Sequence, residues 1–208
     1  MSVETFTTAA TLDEAITALA EGALPVAGGT DLVVGARQGK APLPERIVAI
    51  HRPEELRGVT EADGVVRLGA LATHAEIVAH PAIRARLTAL ADASAIVGSH
   101  ATRAHGTIGG NVMNASPAME TGGPLICFGA TATLRSAADT RRVALEELFA
   151  GPGRTVADDG ELLVAIDVPE PAPGTRSGEG SRAGPRGQLP RGDLAARHRR
   201  LDQVRWTH

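Results

Sequence analysis

Two glycine-centred stretches hold the residue types best suited to gripping an anion. The first is "PVAGGTDL", comprising Pro25, Val26, Ala27, Gly28, Gly29, Thr30, Asp31 and Leu32; the second is "TIGGNVMNASPAME", from Thr107 to Glu120. Glycine permits positive φ and lets a ligand reach the backbone with no Cβ in the way. A helix that starts just after such a turn leaves N–H groups with partial positive charge, which suits a phosphate. In the first stretch an apolar run enters, Gly28 and Gly29 turn, and Thr30 or Asp31 stands where a helix cap is needed. The same Gly-Gly-Thr-Asp also makes an ordinary turn and cap, so this loop alone leaves both readings open. In the second stretch Gly106, Gly109 and Gly110 allow a nest of backbone N–H groups. Thr107, Asn111 and Ser116 add short polar side chains, and Glu120 can accept hydrogen bonds from vicinal hydroxyls such as a ribose. Two such loops about 80 residues apart are what a pyrophosphate held from both sides requires. Neither is a G-x-G-x-x-G turn and no G-x-x-x-x-G-K-[ST] occurs, which disfavours the Rossmann and P-loop readings.

Other chemistries find less support. Ser94, Ser99 and Ser116 lie in no G-x-S-x-G elbow. His51, His74, His80, His100 and His105 form no H-E-x-x-H pattern and read as loop or surface histidines, so no metal site is expected. Cys127 is the single cysteine; it excludes an intrachain disulfide and fits a reducing cytoplasm. Aromatics make up 2% of the chain, which argues against stacking platforms for nucleic acid. No apolar run reaches the length of a membrane span, and the acidic start "MSVETFTTAATLDEA" does not read as a signal peptide.

The elements that must position these loops are legible in outline. Thr11 and Glu14 read as a capping box before a helix in "LDEAITALA", and Thr73 with Glu76 as another before "IVAHPAIRARLTALADASAIVG", interrupted near Pro81. "ALPVAGG", "RIVAI", "GVVRLGAL", "ATATLRS" and "ELLVAIDVP" read as strands, "LVVGARQG" and "VALEELFA" as short helices. Arg141–Arg142 and Glu146–Glu147 read as a solvated face. The class is α+β, with a first subdomain over residues 1–55 and a second over 56–173. From Gly174 onward eight arginines face Glu179, Asp193 and Asp202. This Arg/Gly/Pro-rich tail, 174–208, has too little apolar periodicity to offset its ordering entropy and reads as disordered. Its charge also suits a nucleic-acid-binding arm, but a chain end outside the fold is the favoured reading, and no nucleic-acid partner is expected.

"AGGTDL" and "TIGGNVMNASPAME" resemble the FAD-binding subunit of molybdenum hydroxylases, the group that includes the medium subunit of carbon monoxide dehydrogenase and the flavin domain of xanthine dehydrogenase. The likeness runs from the N-terminus to about "LLVAIDVPEPAPGT". It implies a two-part FAD-binding fold of the vanillyl-alcohol oxidase/CO dehydrogenase flavoprotein type, with FAD as cofactor. It also implies an electron-transfer oxidoreductase that works with a molybdopterin-binding large subunit, a 2Fe–2S small subunit and a small-molecule acceptor. Carried across by position, Pro25 to Leu32 would form the first pyrophosphate loop, and Thr107, Ile108, Gly109, Gly110 and Asn111 the second. Ser116 belongs to the same motif, and Glu120 stands where the family usually has Asp, toward the adenosine ribose. Val97 and Gly98 match positions lining the flavin, and Leu162 or Leu163 an apolar flavin contact. No side chain is implied as a general acid or base. The family continues past "PAPGT" with a further strand and domain, whereas here the arginine-rich tail follows, as an altered reading frame in GC-rich coding sequence would give.

Overall fold

The computed structural model describes residues 3–39 and 42–172, all within one compact unit; the expected tail lies outside them. Strand β1 (Thr5–Thr8) leads into helix α1 (Leu12–Ala20), strand β2 (Leu24–Val26), helix α2 (Leu32–Arg37) and strand β3 (Arg46–Ala49). These strands form a parallel three-stranded sheet in the order β1-β3-β2. One stripe of α1, Leu12, Ile16 and Leu19, packs with Val48 and Ile50 on one face of this sheet. Thr11 caps α1 by accepting from the Glu14 N–H at 3.2 Å, but the Glu14 carboxylate accepts from Ala10 N–H at 2.7 Å, one residue earlier than a capping box requires.

After a turn of 3-10 helix at Glu54–Leu56 come strands β4 (Val59–Ala62) and β5 (Val65–Gly69), joined by Asp63 and Gly64, both with positive φ, as a type I′ hairpin turn demands. The helical run expected to be interrupted near Pro81 is three helices: α3 (His74–Ala79), α4 (Pro81–Arg86) and α5 (Thr88–Ile96). Pro81 breaks the run because it has no N–H to donate, and it takes the first position of α4, where none is needed. A second break falls at Leu87, which is fully buried. The Thr73–Glu76 capping box forms in full at the start of α3.

Three short helices follow, α6 (His100–His105), α7 (Ile108–Met113) and α8 (Gly122–Cys127), then β6 (Thr131–Arg135), β7 (Thr140–Ala144), α9 (Leu145–Leu148), the small pair β8 (Phe149–Gly151) and β9 (Arg154–Thr155), and β10 (Leu162–Pro169). The second sheet is antiparallel, ordered β4-β5-β10-β6-β7, with the last strand at its centre. Seven of the eight residues of β10 are buried, which explains its nearly continuous apolar run: a strand covered on both faces has no side to leave polar. Leu162 and Val164 pack with α1 and the first sheet, while Leu163, Ile166 and Val168 belong to the core under the helices. One strand thus serves both hydrophobic clusters.

The polar exception within β10 is Asp167, which takes ion pairs from Arg67 at 2.8 Å and Arg142 at 2.9 Å. Arg141 donates twice to Glu161, at 2.7 Å each. The Arg141–Arg142 pair is therefore tied down on the sheet rather than simply solvated. Among the described residues no helix is long and apolar enough to cross a membrane.

Candidate functional site: a cleft between two glycine loops

A cleft of about 1120 Å³ opens where the first sheet meets the α7 region. Its floor is the turn from β2 to α2, and every residue from Pro25 to Leu32 lines it. Opposite stand Val97, Gly98, Thr107, Gly110, Asn111, Ser116 and Glu120. Two loops far apart in sequence thus share one cavity, larger than the roughly 300–1,000 Å³ of an ordinary small-molecule site.

The loops touch through backbone. A Cβ built on Gly28 would lie 1.8 Å from the carbonyl oxygen of His105, so only glycine lets them close. Asn114 Nδ2 donates to Asp31 Oδ2 at 3.1 Å, a second link between them. Gly29 has φ +67°, which turns the chain into α2. Asp31 occupies the cap position of α2 but makes no capping bond; its carboxylate reaches Asn114 instead.

Hydrogen bonding divides the roles of the loops. The N–H groups of Gly28, Gly29, Thr30, Asp31 and Leu32 bond to no other described residue. In the second loop the donors are already engaged. Ile108 N–H goes to Ala72 O, Gly109 N–H to Ala70 O, and Gly110 N–H to Thr107 Oγ1 at 3.1 Å. The expected nest at Gly109 and Gly110 is therefore absorbed into the fold. What faces the cleft there is the Cβ-free surface of Gly110 and the side chains of Thr107, Asn111, Ser116 and Glu120. The amide of Asn111 is oriented by Thr121, whose hydroxyl donates to Asn111 Oδ1 at 2.5 Å.

Four expected residues do not reach the cavity. Ile108 is fully buried, and Gly109 is packed so tightly that a Cβ would meet Ala70 O at 2.6 Å. Leu162 and Leu163 are buried in β10, one in each core cluster. Their apolar character serves the core beneath the cleft. Conversely, sequence reasoning missed the loop from Thr155 to Glu161, which forms a wall with Ala157, Asp158, Asp159 and Gly160. It also missed Met113, Asn114, Met119 and His74. Nothing in a single sequence ties the "ADDG" turn to loops more than 35 residues away.

The electrostatics are unusual for an anion site. Asp31, Glu120, Asp158, Asp159 and Glu161 line the cleft, and among the described lining residues none is Lys or Arg. Arg103 stands just outside, its guanidinium donating to the carbonyls of Val97 and Gly98 at 3.0 Å each. His74, expected at the surface, is only 1% exposed. Burial, aided by the charge of Arg103, lowers its pKa to about 4, so the ring is neutral.

The residues fit a dinucleotide by three features: free amides in the first loop, a glycine cradle that a Cβ would fill, and a buried imidazole with Nδ1 unpartnered. The profile of the family described as FAD binding domain in molybdopterin dehydrogenase matches residues 2–171. The chain belongs to this family. FAD is accordingly its cofactor. The chain is similar to the xanthine dehydrogenase FAD-binding subunit of Escherichia coli O157:H7, 32% identical over 77% of this chain and 56% of that protein. It is likewise similar to the carbon monoxide dehydrogenase medium chain of Afipia carboxidovorans, 31% identical over 76% of this chain and 55% of that one. The fold matches a chain of carbon monoxide dehydrogenase from Hydrogenophaga pseudoflava with a TM-score of 0.79 and 28% identity, covering 83% of this chain and 61% of that one. The chain thus spans little more than half the length of these relatives.

Proposed function

We propose that this FAD-binding domain serves as the electron-transferring flavin unit of a molybdenum-containing hydroxylase or dehydrogenase. In this reading residues 1–55 and 56–173 are the two halves that hold the cofactor. The first loop supplies the diphosphate contacts, through the N–H groups from Gly28 to Leu32. Gly110 allows close approach from the other side, with Thr107, Asn111 and Ser116 as polar neighbours. Glu120 accepts from ribose hydroxyls, and Val97 and Gly98 border the flavin. Bound FAD supplies the redox chemistry, taking electrons from iron–sulfur clusters and passing them to an acceptor. The chain's own residues bind and orient it, and none is needed to move a proton. Expected partners are a molybdopterin-binding large subunit and a 2Fe–2S small subunit, with a small-molecule acceptor and a cytoplasmic location.

The observation that carries this reading is the closure of Gly28 on the His105 carbonyl, which brings five free amides opposite a second glycine loop in one cavity. Titrating free FAD into the 208-residue chain, followed by flavin fluorescence, tests it. Saturable binding abolished by Gly110→Val supports the site; absence of binding, or wild-type binding by that variant, overturns it. Co-expression with the two partner subunits and affinity capture tests the assembly. Failure to recover either subunit with the chain argues for a nucleotide-binding remnant that carries no electrons.

A further inference from the structure

One feature of the cleft lies outside that assignment. His74 begins α3, and its backbone N–H donates to the carbonyl of Gly106 at 3.1 Å. A Cβ built on Gly106 would sit 3.4 Å from Cδ2 of His74 and 3.5 Å from Oγ1 of Thr30. The Cδ2 edge of the imidazole therefore faces Gly106, and the ring lines the same cleft as the first glycine loop. Its Nδ1 is buried with no hydrogen-bond partner. Such a group is costly to leave unpaired. Among the described residues lining the cleft, His74 is the one side chain able to carry positive charge, against five carboxylates.

We propose that His74 is a proton-linked charge in the wall beside the anionic cofactor: neutral without the ligand, it takes up a proton when the diphosphate settles near Gly106, so that FAD affinity rises as pH falls. The inference rests on the FAD reading above. A dianion brought next to the ring favours the imidazolium, against the desolvation and the Arg103 charge that favour the neutral form. By linkage, a ligand that prefers the protonated form binds more tightly as protons become available. The charged and titratable groups on the neighbouring elements begin with His100, Arg103 and His105 of α6, and Arg84 and Arg86 of α4, the latter paired with Glu61 and Glu170. The others are Asp31 of the first loop, Glu76 of α3, held by the Thr73 N–H, His80 just after α3, and Asp92 of α5, which is exposed. Acids near the ligand also favour anion binding as they protonate. Only the difference between the wild-type chain and a variant lacking the imidazole isolates His74.

The test is FAD titration from pH 8 to pH 5.5 with wild-type and His74→Gln chains. The expected outcome is similar affinity at pH 8 and, toward pH 5.5, a gain in the wild type roughly fourfold larger than in the variant. Parallel pH profiles would overturn the inference while leaving the FAD site standing. Failure of the wild-type chain to bind FAD at any pH would overturn both. Should His74→Gln not fold, imidazole nitrogen resonances of the wild-type chain at pH 6 decide: His74 must change from neutral to imidazolium on FAD addition, and an unchanged neutral signal refutes the proposal.

Discussion

Gly28 and the His105 carbonyl stand so close that a methyl group on the glycine would lie 1.8 Å from the oxygen. No side-chain adjustment relieves a clash with backbone, so Gly28→Ala must separate the loops. A misfit of this kind costs about 1–3 kcal/mol. FAD affinity should therefore fall by roughly tenfold or more, with a lower melting temperature. Gly123→Ala in α8, where a Cβ meets nothing within 4 Å, is the control. Equal affinity for Gly28→Ala and wild type would show that the loops do not need to touch.

The adjacent glycines of the second loop should fail in different ways. Gly109 lies against the carbonyl of Ala70, so Gly109→Ala strains helix α7 against the chain leaving β5 and should lower thermal stability first. At Gly110 the nearest atom to a Cβ is Thr107 Oγ1 at 3.1 Å. There Gly110→Val places its methyl groups at the cleft and should abolish FAD binding with less effect on melting. Thermal melts and FAD titrations on both variants check this; the same ratio of the two effects in both would refute the division.

Asn114 and Asp31 offer a finer probe, since their bond crosses the cleft and one partner carries an unhelpful charge. Asn114→Ala deletes an exposed hydrogen bond of about 0.5–1.5 kcal/mol, so FAD should bind roughly two- to tenfold more weakly. Asp31→Asn can keep the link while removing a negative charge from an anion site, and should bind FAD at least as tightly as wild type. Weakened binding by Asp31→Asn, measured beside Asn114→Ala, would mean that the carboxylate itself contacts the cofactor.

Acid should destabilise the FAD-free chain in two stages. His74 has its pKa lowered from 6.5 to about 4. Between those values the unfolded chain binds a proton that the folded one refuses. Stability present above pH 6.5 is thus lost as pH falls toward 4, by an amount on the order of 3 kcal/mol. Glu161 has its pKa lowered from 4.5, chiefly by the hydrogen bonds from Arg141. Its contribution is present above pH 4.5 and lost on further acidification. Denaturant melts across this range should show the upper stage flattened in His74→Gln and the lower one reduced in Arg141→Met. An upper stage that persists in His74→Gln would refute the first assignment.

The elements with strong local signals were legible: the Thr73–Glu76 capping box, the Pro81 break, and the apolar run of β10 follow from short-range rules. The glycine loops were legible as a pair because Gly28–Asp31 and Thr107–Asn111 each set glycines beside short polar residues suited to an anion. What stayed hidden was contact between distant segments. Gly109 and Gly110 look alike in sequence, yet one packs on Ala70 and the other lines the cleft, a difference set by the rotation of α7. Leu162 or Leu163 is a flavin contact only by the family resemblance, and the apolar run around them fits the core of β10 equally well. His74 sits in a helix that local rules place well, but its burial depends on α6 and the first loop closing over it.

The central place of β10 has a consequence for how the protein is made. On a ribosome, β5 and β6 emerge well before the strand that must lie between them, and α1 and β3 wait for Leu162 and Val164 to complete their core. The wall from Thr155 to Glu161 arrives just ahead of that strand. A nascent chain that stops short of Leu162 therefore has both glycine loops but neither core beneath them complete, and cofactor capture follows the arrival of β10.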